Sequence, residues 1–398
     1  MRIALFAAFI CLAVASPSTR QVQHLNHPQR IPGEFLVLLK TPSVNRVSYA
    51  GAVAEKISKI SSKISIVKSF TNLRTPIFLV KTTQESEINQ LFQLHEVDVI
   101  ESNVVEQMIQ QCTTQSTGSQ LWGLSRVSSR DLPNFSGATF SHKVGDGAGV
   151  KVYVLDTGIR LTHNDFGGRA IFGTNTVGGS DNDNNGHGTH CAGTVLGTQY
   201  GVAKGATAVA VKCLGDGGTA PWSAVIDGVN WAVGDINSGS ERGVLSMSLG
   251  GGGNSVLDSA VNSAVADGIP VVTASGNNGG DACNNSPGRA TGTINVGNTD
   301  NSDRLNLGSN WGTCVDILAP GTNILSASHL SDSGSRLLTG TSMACPHVAG
   351  LVAAYLAKNP SATPAAAKNF VRSTATPDKI DTLGRDGIPN LLMYSVCQ

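Results

Sequence analysis

Between residues 150 and 357, short apolar runs of strand length alternate with stretches of helical spacing, and no other feature restricts the fold as strongly. The runs at 150–155, 208–213, 244–247, 270–274 and 293–296 hold few polar residues, as strands buried on both faces do. Helical spacing falls at 190–196, 223–233, 256–266 and 343–357. Such alternation predicts an α/β fold, a mostly parallel central sheet flanked by helices. Reactive groups in open sheets of this kind gather beyond the carboxyl ends of the strands. The residues that follow each run are therefore where chemistry is expected.

The N-terminal part reads differently. Residues 31–111 are richer in Lys, Glu and Ser and poor in glycine. Strand-length runs at 34–39, 77–80 and 97–105 enclose helical spacing over 53–64 and 85–94, which predicts a small ferredoxin-like α+β sandwich. The polar segment 112–120 marks the boundary. Met1-Arg2, the apolar stretch 3–14 and Ala13-Val14-Ala15 carry the marks of a cleaved export signal. The expected division is a signal at 1–15, a small domain within 16–111, and the main domain at 112–398.

Export places the chain in an oxidising compartment. Of eight cysteines, Cys11 lies in the signal, so seven remain and at least one has no partner in the chain. Cys283 and Cys314 flank a stretch rich in glycine and asparagine, where a bridge would restrain a loose loop. Asn134 and Asn284 head glycosylation acceptor triplets. Lys plus Arg (28) cancels Asp plus Glu (28), which leaves no basic field for nucleic acid or an anionic membrane.

Three motifs carry chemistry. Asp156-Thr157-Gly158 ends the first buried run, putting a carboxylate at a strand's carboxyl end; a turn-capping Asp is the plain alternative. In Asn185-Gly186-His187-Gly188-Thr189-His190, glycines flank His187 at a helix start. His163 is a competing base without flanking glycines. His190 suggests a metal pair, but the motif lacks the glutamate and further ligand of a zinc site, so a structural role is expected. The run 181–186 imitates a calcium loop, but the twelfth position falls on Ala192 instead of glutamate, which excludes it. In Gly340-Thr341-Ser342-Met343-Ala344, Ser342 stands at the start of an apolar helix, either as an ordinary cap or as a hydroxyl beside free backbone N–H groups. A serine needs a base to become a nucleophile, and the base needs an anion to hold its tautomer. Asp156, His187 and Ser342 supply those three roles.

Together and in that order, the three motifs resemble those of the subtilisin-like serine proteases, and more narrowly the proteinase K branch, from about Trp122 to the C-terminus. Motif order and Ala344 distinguish the chain from α/β-hydrolases, whose elbow has glycine there. The resemblance implies a secreted serine endopeptidase acting on proteins or peptides as a monomer. The alternative is a catalytically silent member that serves as a binding module. Asn277 matches the oxyanion-hole asparagine. Gly218 to Trp222 and the stretch from Ser248 through Leu249 and Gly250 to Gly252 match edges that pair with substrate backbone. Ala274 and Gly276 match the wall of the primary pocket, and the absence of acidic residues in these segments implies cleavage after apolar or aromatic residues. Asp316, with carbonyls near Thr291 and Thr293, matches a structural calcium site; Arg130 occupies the region of a ligand of the family's second site. Cys191 matches a buried cysteine beneath the histidine. Residues 31–111 resemble the family's inhibitory propeptide, implying self-cleavage between 105 and 120.

Overall fold

The computed structural model describes residues 21–23, 25, 30–104, 112–239, 241–395 and 397; residues 1–15, where an export signal is expected, lie outside them. The chain divides into two compact units, Met1–Ile109 and Gln110–Gln398.

In the first unit, Arg30–Leu39 pairs antiparallel with Ile77–Thr82 on one side and Val97–Val104 on the other, and Ile64–Phe70 extends the sheet beyond Ile77–Thr82. Alternation along the first strand turns Phe35, Val37 and Leu39 into a core shared with Val53 and Ile57 of the helix Arg46–Ile60. A 3-10 segment, Glu85–Gln93, adds Ile88 and Leu91. The βαββαβ order is thus present with its second helix wound as 3-10. Two details differ from the sequence expectation. The Asn45 side chain accepts from the N–H groups of Val47 and Ser48 and starts the helix at Arg46. At the other end Ser61 turns extended, so Ile64 opens a strand although its spacing from Ile60 imitates another helical turn.

In the second unit, nine strands among the described residues form one sheet. Its order is Thr376–Pro377, Leu391–Leu392, Ile317–Pro320, Ile294–Thr299, Val271–Ala274, Arg242–Met247, Val150–Asp156, Thr207–Lys212 and Ala170–Asn175. Every pairing is parallel except the one between the two shortest strands. Strand side chains alternate between two cores. Val152 and Val154 face the helices His187–Leu196 and Thr341–Lys358, while Tyr153 and Leu155 face Trp222–Ser238 and Ser255–Ala266. Helix Thr341–Lys358 is buried nearly all round, so its sequence lacks a polar stripe. The edge strand Ala170–Asn175 and the short Ile317–Pro320 were not anticipated; the first buries only Ala170 fully and the second is only four residues long.

Disulfides join Cys283 to Cys314 and Cys112 to Cys397, and Cys191, Cys213 and Cys345 are free and buried. The second bridge clips the strand Cys112–Ser116, paired with Thr139–Lys143, to the far end of the chain.

Candidate active site

Chain order reverses at Val150–Asp156: the chain goes first to the edge strand Ala170–Asn175 and then to Thr207–Lys212 on one side, and later to Arg242–Met247 on the other. The carboxyl ends of adjacent strands diverge at such a point and leave a crevice. Asp156 is the last residue of one bordering strand, and Ser248 follows the last residue of the other.

Asp156 is fully buried. Its Oδ1 and Oδ2 lie 2.8 and 2.9 Å from His187 Nδ1, and Oδ1 also accepts the Thr157 N–H at 2.7 Å. This bond fixes the tautomer: Nδ1 carries the proton and Nε2 is the free base. The flanking glycines make the approach possible. Gly186 has φ of 95°, and a Cβ there would come 2.0 Å from His329 Nδ1; a Cβ at Gly188 would lie 2.2 Å from the Gly158 carbonyl. Burial lowers the pKa of His187, but the Asp156 charge and bond outweigh it and hold the imidazolium well above its ordinary range. Cys191 Sγ is 3.9 Å from Nδ1, and burial pushes its own pKa up, so it is a neutral thiol beside the pair.

Asp183, inside the run that imitates a calcium loop, acts as a tether. Its carboxylate accepts from Thr157 Oγ1, the N–H groups of Asn185, Gly186 and Thr189, and Thr189 Oγ1. It thereby ties the turn after Asp156 to the turn that presents His187. The buried Lys212 ammonium does similar work, donating to Thr157 O at 2.7 Å, Asn182 O at 3.2 Å and Asp216 Oδ1 at 2.9 Å. Neither residue was singled out from the sequence. A lysine ending a strand buried on both faces was the available signal for Lys212.

Ser342 is the second residue of its helix, so its N–H has no acceptor within the helix. Its hydroxyl donates to Ser248 O at 3.1 Å, and it bonds there instead of to His187. Rotation about one side-chain bond frees it. Pro346, within the same helix, lacks an N–H and so releases the Ser342 carbonyl from its usual i→i−4 bond. That carbonyl instead accepts from Ser248 Oγ at 2.9 Å and Cys191 Sγ at 3.4 Å, which anchors the serine to both neighbours. Asn277 Oδ1 accepts from Thr341 N–H at 2.8 Å and Thr341 Oγ1 at 3.0 Å. A backbone N–H only donates, so the amide orientation is settled, and Nδ2 has no acceptor among the described residues.

His187, Ser342 and Asn277 line one cavity of about 670 Å³ together with Gly218, Trp222, Ser248, Leu249, Gly250, Ala274 and Gly276. His187 is the sole titratable side chain in that lining among the described residues. Gly251 and Gly252 pair with Ser286 and Asn285, which commits the far end of the Ser248 segment to the protein's own backbone. The competing histidines lie elsewhere. His163 has both ring nitrogens engaged, with Asp165 N and Gly334 O. His190 is buried against Ile324 O, and burial lowers its pKa to about 3.

The oxygens matched to a calcium site surround a different cation. Lys368 Nζ donates to Thr293 O at 2.7 Å and lies 2.9 Å from Asp316 Oδ2; Arg372 stands 3.5 Å from Oδ1. Thr291 is exposed and no hydrogen bond places it with them. An ammonium between the two oxygens that a calcium ion would share does not fit a metal there. Of the three residues matched to that site, Asp316 and Thr293 thus meet on Lys368, while Thr291 stands apart.

Residues 147–392 match the subtilase family. A cuticle-degrading serine protease of Arthrobotrys oligospora is 40% identical over 78% of this chain and 75% of its own length. An extracellular serine proteinase of Thermus sp. is 37% identical over 96% of this chain and 94% of its own. The crystal structure of a cold adapted subtilisin-like serine proteinase superposes with a TM-score of 0.65 at 43% identity, covering 70% of this chain and 98% of that one. The chain belongs to the subtilase family and is a subtilisin-like serine endopeptidase of the proteinase K type.

Proposed function

We propose that this chain is the precursor of a secreted endopeptidase that cuts proteins after apolar or aromatic residues through Asp156, His187 and Ser342. The observation that carries this is the bond of a fully buried Asp156 to His187 Nδ1 within a cavity shared with Ser342 and Asn277. Once turned from Ser248 O, the Ser342 hydroxyl attacks the scissile carbonyl carbon while His187 Nε2 takes its proton. The oxyanion accepts from the Ser342 N–H and Asn277 Nδ2. As the C–N bond breaks, His187 returns the proton to the departing amine. Water then repeats the sequence on the acyl-enzyme and restores Ser342.

A lining without charged side chains other than His187 favours apolar over basic substrate residues. Trp222 supplies an aromatic wall, packed so closely on Gly251 that a Cβ there would come 2.8 Å from its ring. The family's propeptide role is assigned to the first unit. The cut that releases it is expected between 105 and 120, and the bond of Cys112 to Cys397 with the pairing of its strand inside the second unit supports a position ahead of Cys112, in 105–111, outside the described residues.

A fluorophosphonate probe and casein, applied to the secreted protein and to Ser342→Ala, test the assignment. Labelling and cleavage are expected only with Ser342, and the variant should accumulate as an uncut precursor. Equal casein cleavage by both would refute it.

A further inference from the structure

We infer that Lys368 is a built-in replacement for a structural metal ion, so that Asp316 and Thr293 are held together without calcium. The ammonium bridges the Thr293 carbonyl, at the entry to the strand Ile294–Thr299, and the Asp316 carboxylate, at the entry to Ile317–Pro320. It thus joins two neighbouring strands to the helix Pro364–Thr374, which carries Lys368. Arg372, one helical turn on, faces the same carboxylate, and its NH1 donates to the Asp316 carbonyl at 2.8 Å. The remaining capacity of Oδ2 is used by the Asn295 N–H at 3.0 Å.

Calcium takes six to eight oxygen ligands, and its affinity depends on how much negative charge they bring. Here one carboxylate already faces two cations, so a divalent ion would enter against net positive charge and would have to expel the ammonium. Arg130, which occupies the region of a ligand of the family's second site, is likewise engaged by the chain's own oxygens. Arg130 NH1 donates to Thr374 O at 2.8 Å, Ala375 O at 2.9 Å and Thr376 Oγ1 at 3.2 Å, and the guanidinium lies 3.7 Å over the Tyr394 ring. A guanidinium at the C-terminal end of that helix also complements its dipole.

Equilibrium dialysis against calcium, on the mature enzyme and on Asp316→Asn, reads this directly. The two are expected to bind the same number of ions per chain, and one ion fewer in Asp316→Asn would overturn the inference. Thermal inactivation in EDTA gives a second reading. Lys368→Met is expected to shorten the half-life several-fold relative to the parent, and an unchanged half-life would count against it. Crystals of the unmutated enzyme grown in calcium need no variant. A ligand sphere of about 2.3–2.6 Å around an ion between Asp316 and Thr293 would overturn the inference, whereas retention of the Lys368 contacts supports it.

Discussion

Asp156 and His187 meet through both carboxylate oxygens, at 2.8 and 2.9 Å, with the carboxylate wholly buried and the imidazole side chain 28% exposed. The anion is screened from water while the base it orients remains open to a substrate. Asp156→Asn keeps the shape but presents an amide that can stabilise the wrong tautomer. A loss of about 10⁴-fold in kcat is expected. Steady-state hydrolysis of a chromogenic peptide checks it, and a loss below tenfold would remove Asp156 from the relay.

The pH profile follows from the same pair. In the proposed mechanism His187 acts as a base only when neutral, and the Asp156 charge holds its pKa well above the ordinary range. The acid limb of kcat/KM should therefore lie above about 6.5, with activity rising into the alkaline range. In Asp156→Asn the residual activity should show that limb displaced to lower pH. An acidic optimum, or a limb indifferent to the substitution, would contradict the assignment.

Asn277 gives a separable prediction. With Oδ1 committed to Thr341, only Nδ2 is free to meet developing charge. Asn277→Ala should lower kcat by about 10²–10³, roughly 2.7–4 kcal/mol, while KM changes little. A rise in KM at constant kcat would mean that the amide binds the ground state instead.

Much of this geometry was legible in the sequence, because apolar runs announce buried strands and glycines announce close approaches. Asp156 and His187 came from those two signals, and Ser342 from its place at the start of an apolar helix. What escaped depends on partners distant in the chain. Thr341 orients Asn277 across 64 residues, and Lys368 reaches Thr293 across 75. No local pattern records such pairs. Ile64–Phe70 escaped because most of its residues are exposed and it has no clean alternation.

The disulfides differ in the loops they close. Cys112–Cys397 spans 285 residues and Cys283–Cys314 spans 31. Loop-closure entropy grows with the logarithm of length, so the longer bridge should contribute about 2 kcal/mol more. Urea unfolding of Cys397→Ser and Cys283→Ser, each in the Ser342→Ala background to prevent autolysis, measures the difference. Equal losses would show that native packing, and not the unfolded chain, sets their worth.

Acid stability should depend on two histidines outside the relay. Burial lowers the pKa of His190 to about 3 and of His347 to about 4, and the His347 ring is held by Met343 O at 2.8 Å from Nδ1. Above about pH 6.5 neither state binds their protons, and their contribution is fully present. As pH falls below that value the unfolded chain takes up protons that the native state refuses. Stability then declines by about 1.4 kcal/mol per pH unit for each histidine until the folded pKa is reached. His187, with its raised pKa, acts in the opposite sense and higher up. Its contribution is fully present below about 6.5 and is lost as pH rises through the folded value, so it is flat across the acid window. In the Ser342→Ala background, His347→Gln should therefore reduce the slope of unfolding free energy against pH by close to one proton between about pH 6 and 4.5. A slope identical to that of the parent would show that His347 is protonated in the native state.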